Sequence, residues 1–179
     1  MTQPPRIPHD WLQPQWPAPA GVRALCTTRA GGVSTGPCAS LNLGSHVGDD
    51  PSAVQANRQR LQAVVQGATP GARAVFLNQV HGTAVATINP ATPDGTEADA
   101  CVATQPGAVC TIMVADCLPV LLAHGSGAVV GAAHAGWRGL AGKGGVGVLE
   151  AVFERFKALA LSDKALAAIK NEANGMLAA

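Results

Sequence analysis

The 179-residue chain is 47% hydrophobic and 13% charged, with a formal net charge of +1. That balance fits one globular domain, residues 1–179, with a sizeable core, and excludes a disordered chain. No basic run and no Tyr occur, which argues against nucleic-acid binding, and the apolar segments are too short and interrupted to span a bilayer.

Met1 to Pro19 reads as an irregular, proline-rich lead-in without the apolar core of a secretory signal, so a cytoplasmic location is the default expectation. Trp11 and Trp16 are expected to pack onto the body. The five cysteines are odd in number and form no Cys-x-x-Cys pair, so no disulfide framework is expected. Val22 to Thr28 reads as a first strand running into a turn-rich loop, Arg29 to Pro37. Gly31-Gly32 in that loop either offers N–H groups to an anion or makes a wide turn.

Asp50 before Pro51 is a helix-start signal, an N-cap followed by proline at the first helical position. Val54, Leu61, Val64 and Val65 then share one face to about Gln66, where Gly67 ends the helix. Arg58 and Arg60 lie off that stripe. Arg73 to Val80, Ala84 to Ile88 and Asp99 to Ala103 read as strands. Two apolar runs, Ala108 to Val114 and Ala128 to Ala132, read as buried neighbouring strands. Gly142 to Gly147 lacks the order of a phosphate loop. Leu149, Val152, Phe153, Phe156 and Leu159 form a helical stripe, and Ser162 is read as the cap of a second short helix carrying Leu166 and Ile169.

The chemistry concentrates where apolar runs end. Ala115-Asp116-Cys117-Leu118-Pro119 follows one, Ala133-His134-Ala135-Gly136-Trp137-Arg138-Gly139 follows the next, and His81 closes the Arg73 to Val80 segment. Cys and His bind a borderline cation, or form a nucleophile and its base. Spacing alone leaves both readings open. His9 and His124 read as surface residues, whereas His46 sits in a loop suited to ligand contact. Cys26, Cys38, Cys101 and Cys110 read as small buried apolar residues.

Several motifs occur in a characteristic order: Thr27-Thr28-Arg29-Ala30-Gly31-Gly32-Val33-Ser34, Ser40-Leu41-Asn42-Leu43-Gly44, His46-Val47-Gly48-Asp49, Asn57-Arg58, Gln79-Val80-His81-Gly82, Asp116-Cys117-Leu118-Pro119 and His134-Ala135-Gly136-Trp137-Arg138-Gly139. Together they resemble the YfiH-like family, also called the laccase-domain or multicopper polyphenol oxidoreductase family. The likeness runs over about residues 22–150, leaving 151–179 as a helical tail. It implies an α+β fold of mixed sheets with flanking helices, similar to cysteine-hydrolase-like proteins. It also implies phosphorolysis of adenosine, inosine and methylthioadenosine, deamination of adenosine, and His81, Cys117 and His134 as metal ligands. Family members normally continue into a stretch with a Gly-Pro-x-Ile-Gly signature that is not found here, so the chain reads as a shortened or C-terminally replaced member.

The residues agree with that chemistry. Two imidazoles and a thiolate leave zinc an open position for water or substrate, with copper as the other candidate metal. Asp116 is placed to orient a ligand or shuttle a proton. Arg138, beside His134, is the guanidinium best placed for phosphate, with Arg29 and Arg58 in reserve and Asn42 and His46 as further substrate contacts. A four-copper oxidase needs many histidines, usually in His-x-His pairs; this chain has five and no such pair. The expected partners are purine nucleosides and phosphate, with no nucleic acid and no membrane. The alternatives are a metal-free cysteine hydrolase or amidase with Cys117 as nucleophile and His134 as base, including a peptidoglycan-precursor editing role, or an inactive binding module.

Overall fold

The computed structural model describes the backbone of residues 7–177 and side chains through Ser162. Its elements are α1 (Pro51–Ala68), β1 (Arg73–Phe76), β2 (Val85–Thr87), β3 (Ala100–Ala103), β4 (Ala108–Thr111), β5 (Leu118–Ala123), β6 (Val130–Ala135), α2 (Trp137–Ala141) and α3 (Val148–Leu177). This is a mixed α+β architecture with two sheets. Strands β1 and β4 pair in parallel as one sheet. The other has the order β2-β3-β6-β5, parallel between β2 and β3 and antiparallel elsewhere.

Helix α1 starts as the sequence dictates. The Asp50 side chain accepts from Ser52 N–H, with Pro51 at the first helical position. Its stripe of Leu61, Val64 and Val65 packs on Ala72, Ala74, Phe76 and Trp11. Val75 of β1 and Leu77 just beyond its end turn inward against Cys101, Ala103 and Ala132. Ala100, Val102, Ala133 and Ala135 occupy the far face and meet Val148, Val152 and Phe156 of α3. The two-residue strand period thus feeds both cores from β3 and β6. Complete burial of Val102, Val129 and Val148 contributes roughly 1.5–3 kcal/mol each.

Four expectations are corrected. Val22 to Thr28 forms no strand; Cys26 alone bridges Leu12, and this cysteine is exposed. The two apolar runs are not paired in one sheet, because β4 lies in one sheet and β6 in the other, and they meet only through side-chain packing. The strand that pairs with β6 is β5, whose Pro119 reads in sequence as a break. It is tolerated because β5 is an edge strand: the ladder bonds fall on alternate residues, His124 N–H to Val129 O among them, so Pro119 turns its missing donor outward. Finally, α3 continues through Ser162, whose hydroxyl donates to Leu159 O within the helix. The packing expected of Leu166 and Ile169 lies outside the described side chains.

Candidate metal centre

His134 is the penultimate residue of β6, in the part of the strand paired with the start of β5. Cys117 immediately precedes β5, so the His134↔Pro119 register brings thiol and imidazole to one end of the sheet. His81 arrives separately. β1 ends at Phe76, short of the expected Val80, and the chain reaches His81 through a turn in which that residue has φ 61°. Histidine is among the non-glycine residues enriched in this left-handed region.

The donor atoms of His81, Cys117 and His134 lie within 4.8 Å of one another, the one such cluster among the described residues. Cys117 Sγ is 3.7 Å from His81 Nε2. The two imidazole rings meet edge to face, with centroids 4.6 Å apart. Ordinary zinc–nitrogen and zinc–sulfur lengths give a tetrahedral ligand edge of roughly 3.5 Å, so the sulfur–nitrogen separation already suits a shared cation. His134 is 4% exposed, and its Nδ1 lies 2.8 Å from Asp99 Oδ1. A carboxylate behind an imidazole is the usual support of a metal-ligating histidine.

Three residues have supporting roles that the sequence does not reveal, although Gln79 and Gly136 stand inside its motifs. Asp99 is fully buried and accepts main-chain N–H bonds from Val80, His81 and Gly82. Its signal is a carboxylate placed directly before the apolar stretch that becomes β3. Gln79 clasps Met113, donating to its carbonyl and accepting from its N–H, both at 2.8 Å. That clasp ties the segment leading to Cys117 against the segment carrying His81. Gly136 lies between β6 and α2, where a β-carbon would meet the His81 ring and Cys117 Sγ.

Burial, with Asp116 and then Asp99 adding negative potential, pushes the Cys117 thiol above its ordinary pKa. The Cys117 thiol also lies 3.7 Å from Asp116 Oδ1. Without a cation this is a poor setting for a free thiolate nucleophile. A bound cation reverses that logic, since a coordinating thiol gives up its proton.

Trp137 and Arg138 follow Gly136 directly. Trp137 is 72% exposed, and the Arg138 guanidinium lies 5.1 Å from its ring centroid. The remaining sequence candidates make other contacts. Arg29 donates to Ala39 O and Pro37 O within its own loop. Arg58 donates to Leu43 O, lies 4.1 Å over Phe76 and faces Asp94. It lines a groove of about 740 Å³ beside α1 that none of the three clustered residues lines. Asn42 donates to Gly44 O and Asp49, and His46 is exposed. At Gly31-Gly32 the wide-turn reading fits: Gly32 N–H donates to Ser40 Oγ, and a β-carbon on Gly32 would collide with Ser40 O.

These features define a mixed α+β protein with a His-Cys-His cluster at the end of its larger sheet. Residues 23–171 match the family described as multi-copper polyphenol oxidoreductase laccase, and the chain belongs to that family. It is 53% identical over 144 residues to a purine nucleoside phosphorylase of Pseudomonas aeruginosa, covering 80% of this chain and 55% of that one. It is 50% identical over 139 residues to purine nucleoside phosphorylase YfiH of Escherichia coli, covering 78% and 54%. Among solved structures, Neisseria meningitidis protein NMB0706 aligns with a TM-score of 0.72 at 47% identity, covering 83% of this chain and 57% of that one. The chain therefore spans little more than half the length of these relatives. Among the described residues, no helix is long and apolar enough to cross a membrane.

Proposed function

We propose that His81, Cys117 and His134 hold a zinc ion and that the adjoining surface processes purine nucleosides, cleaving them with phosphate. The observation that carries the metal reading is the convergence of two imidazoles and a thiol within 4.8 Å. A borderline cation suits that donor set, and zinc suits three protein ligands with one position left open. Bound there, zinc would supply Lewis acidity toward a substrate atom at the open position. The purine part of the reading is supported by the names of the relatives, purine nucleoside phosphorylases at about half identity.

The chain's own residues have distinct tasks in this proposal. Trp137 offers an apolar face to a base. Arg138, with no carboxylate partner among the described salt bridges, offers a planar pair of donors to inorganic phosphate. Asp116, beside Cys117, is placed to hold or pass a proton. Arg29 and Arg58 are engaged with backbone and aromatic groups, so Arg138 carries the phosphate assignment. Adenosine, inosine and methylthioadenosine are the substrates proposed, with deamination of adenosine as a second reaction.

The test is chromatography of adenosine incubated with the purified chain, with and without phosphate, alongside metal analysis. Phosphate-dependent release of adenine together with stoichiometric zinc, lost in Cys117→Ala, is the expected result. Inosine as product would assign deamination. Unchanged adenosine under every condition would remove the enzymatic reading, and a metal-free protein would remove the zinc.

A further inference from the structure

We propose that Asp99 is the positioning residue of this centre: one buried carboxylate orients the ring of His134 and the main chain carrying His81, so both imidazoles are set before a cation arrives. The inference rests on the metal reading above but makes a separate claim about the protein alone.

An ionised carboxylate is acceptor-only, with about four lone-pair sites. At Asp99 four donors fill them. Oδ1 takes the His81 N–H at 2.8 Å and His134 Nδ1 at 2.8 Å. Oδ2 takes the Val80 N–H at 3.1 Å and the Gly82 N–H at 2.7 Å. Asp99 is 0% exposed, so water does not compete for these sites. An acceptor-only partner requires the proton of neutral His134 to sit on Nδ1, leaving the Nε2 lone pair free for a metal.

The same group shapes the other arm. Three successive N–H groups, from Val80 through Gly82, converge on the carboxylate because His81 takes φ 61°. This is the concave arrangement of backbone donors that holds anions. For a residue other than glycine that conformation is sparsely populated and persists only where surroundings enforce it. The register closes the arrangement, since His134 N–H donates to Asp99 O at 2.7 Å. A carboxylate serving only as a cap for the turn would need the three main-chain bonds. The contact with the His134 ring goes beyond that role.

Asn at this position has one acceptor oxygen and presents an N–H₂ group to donors, so the four bonds cannot all survive. Where that amide donates to His134 Nδ1, the ring proton moves to Nε2 and the metal-facing lone pair is lost. The experiment uses the full chain before and after chelation, recording long-range ¹⁵N–¹H imidazole spectra, and compares zinc affinity with that of Asp99→Asn. The expected result is a protonated His134 Nδ1 in both states of the parent, with zinc affinity about 10- to 100-fold lower in a folded Asp99→Asn. The cobalt-substituted variant should also show a shifted visible spectrum. A folded Asp99→Asn with zinc affinity within about twofold of the parent overturns the proposal. If that variant does not fold, the chelated parent decides: a proton on Nδ1 supports the assignment, and one on Nε2 overturns it. A parent with the Nδ1 proton that binds no zinc sinks the metal reading and leaves the positioning role standing.

Discussion

Gly136 lies so close to Cys117 that a β-carbon on it would come within 2.9 Å of Sγ, and within 2.8 Å of His81 Cδ2. The backbone there is extended, at φ −72° and ψ 156°, so alanine would meet no backbone strain. The cost of Gly136→Ala therefore falls on the two side chains, which must separate. Zinc affinity should drop at least about 10-fold, the scale of disturbed ligand orientation, with a melting temperature close to the parent's. Isothermal titration with zinc and a thermal melt check both. Unchanged affinity would show that the cluster has slack to accommodate a methyl group.

How much of this was legible in the sequence depends on what each residue answers to. α1 was readable because its signals are local: Asp50, Pro51 and a stripe at helical spacing. His81, Cys117 and His134 each stand out at the end of an apolar segment, but spacing alone leaves metal and nucleophile readings open, and it is the family resemblance of their motifs that joins them as one ligand set. Sheet membership was not readable, since the apolar content of β4 and β6 is similar and their partners are distant in sequence. Pro119 hid β5 because a missing N–H is harmless only on an edge, and edges are a property of the finished sheet. Asp99 and Gln79 were hidden for a related reason. Their significance lies in the groups they meet far along the chain, Asp99 at His134 and Gln79 at Met113.

Gln79 makes a testable bridge between the two arms of the centre. Its amide satisfies both the N–H and the carbonyl of Met113, acting as a strand neighbour would. Gln79→Ala leaves both groups without that partner, at a cost of about 2 kcal/mol. The segment ahead of Cys117 also loses its tie to His81. Urea unfolding should show the loss of stability, and zinc titration a weaker site. A Gln79→Glu variant, able to accept from the Met113 N–H but not to donate to its carbonyl, should fall between parent and alanine. Equal stability of all three would mean that the clasp contributes nothing.

Asn57 organises the loop region that precedes α1. It is 0% exposed, accepts from Val33 N–H, and donates to Ser34 Oγ, Ser40 O and Asn42 O. Asn57→Ala strands several polar groups in a dry site, and roughly 3 kcal/mol of stability should be lost. Asp is no remedy, because it cannot donate to the Ser40 and Asn42 carbonyls. Denaturant titration of both variants checks the claim. Since Asn42 is held by this network, a direct role for Asn42 in substrate binding would show itself differently, as a KM effect of Asn42→Ala without comparable loss of stability.

Asp49 gives the protein a specific acid response. Hydrogen bonds from Asn42 and Ser34 hold its carboxyl below the usual carboxylate range. A carboxyl whose folded pKa is depressed stabilises the fold fully above its unfolded pKa, about 3.9 for Asp. That stabilisation is lost as pH falls through the lower folded value. The window is therefore acidic, below about pH 4, and neutral conditions lie outside it. Asp50, held by Ser52, and Asp10, held by Thr28, shift in the same direction, so the parent alone shows their combined slope. Asp49→Asn removes one contributor and leaves the other two. Urea midpoints measured from neutral pH to pH 2 should fall less steeply in the variant than in the parent, with the gap between the two curves narrowing as pH drops. Parallel curves across that range would show that Asp49 binds its proton equally well in the folded and unfolded chain.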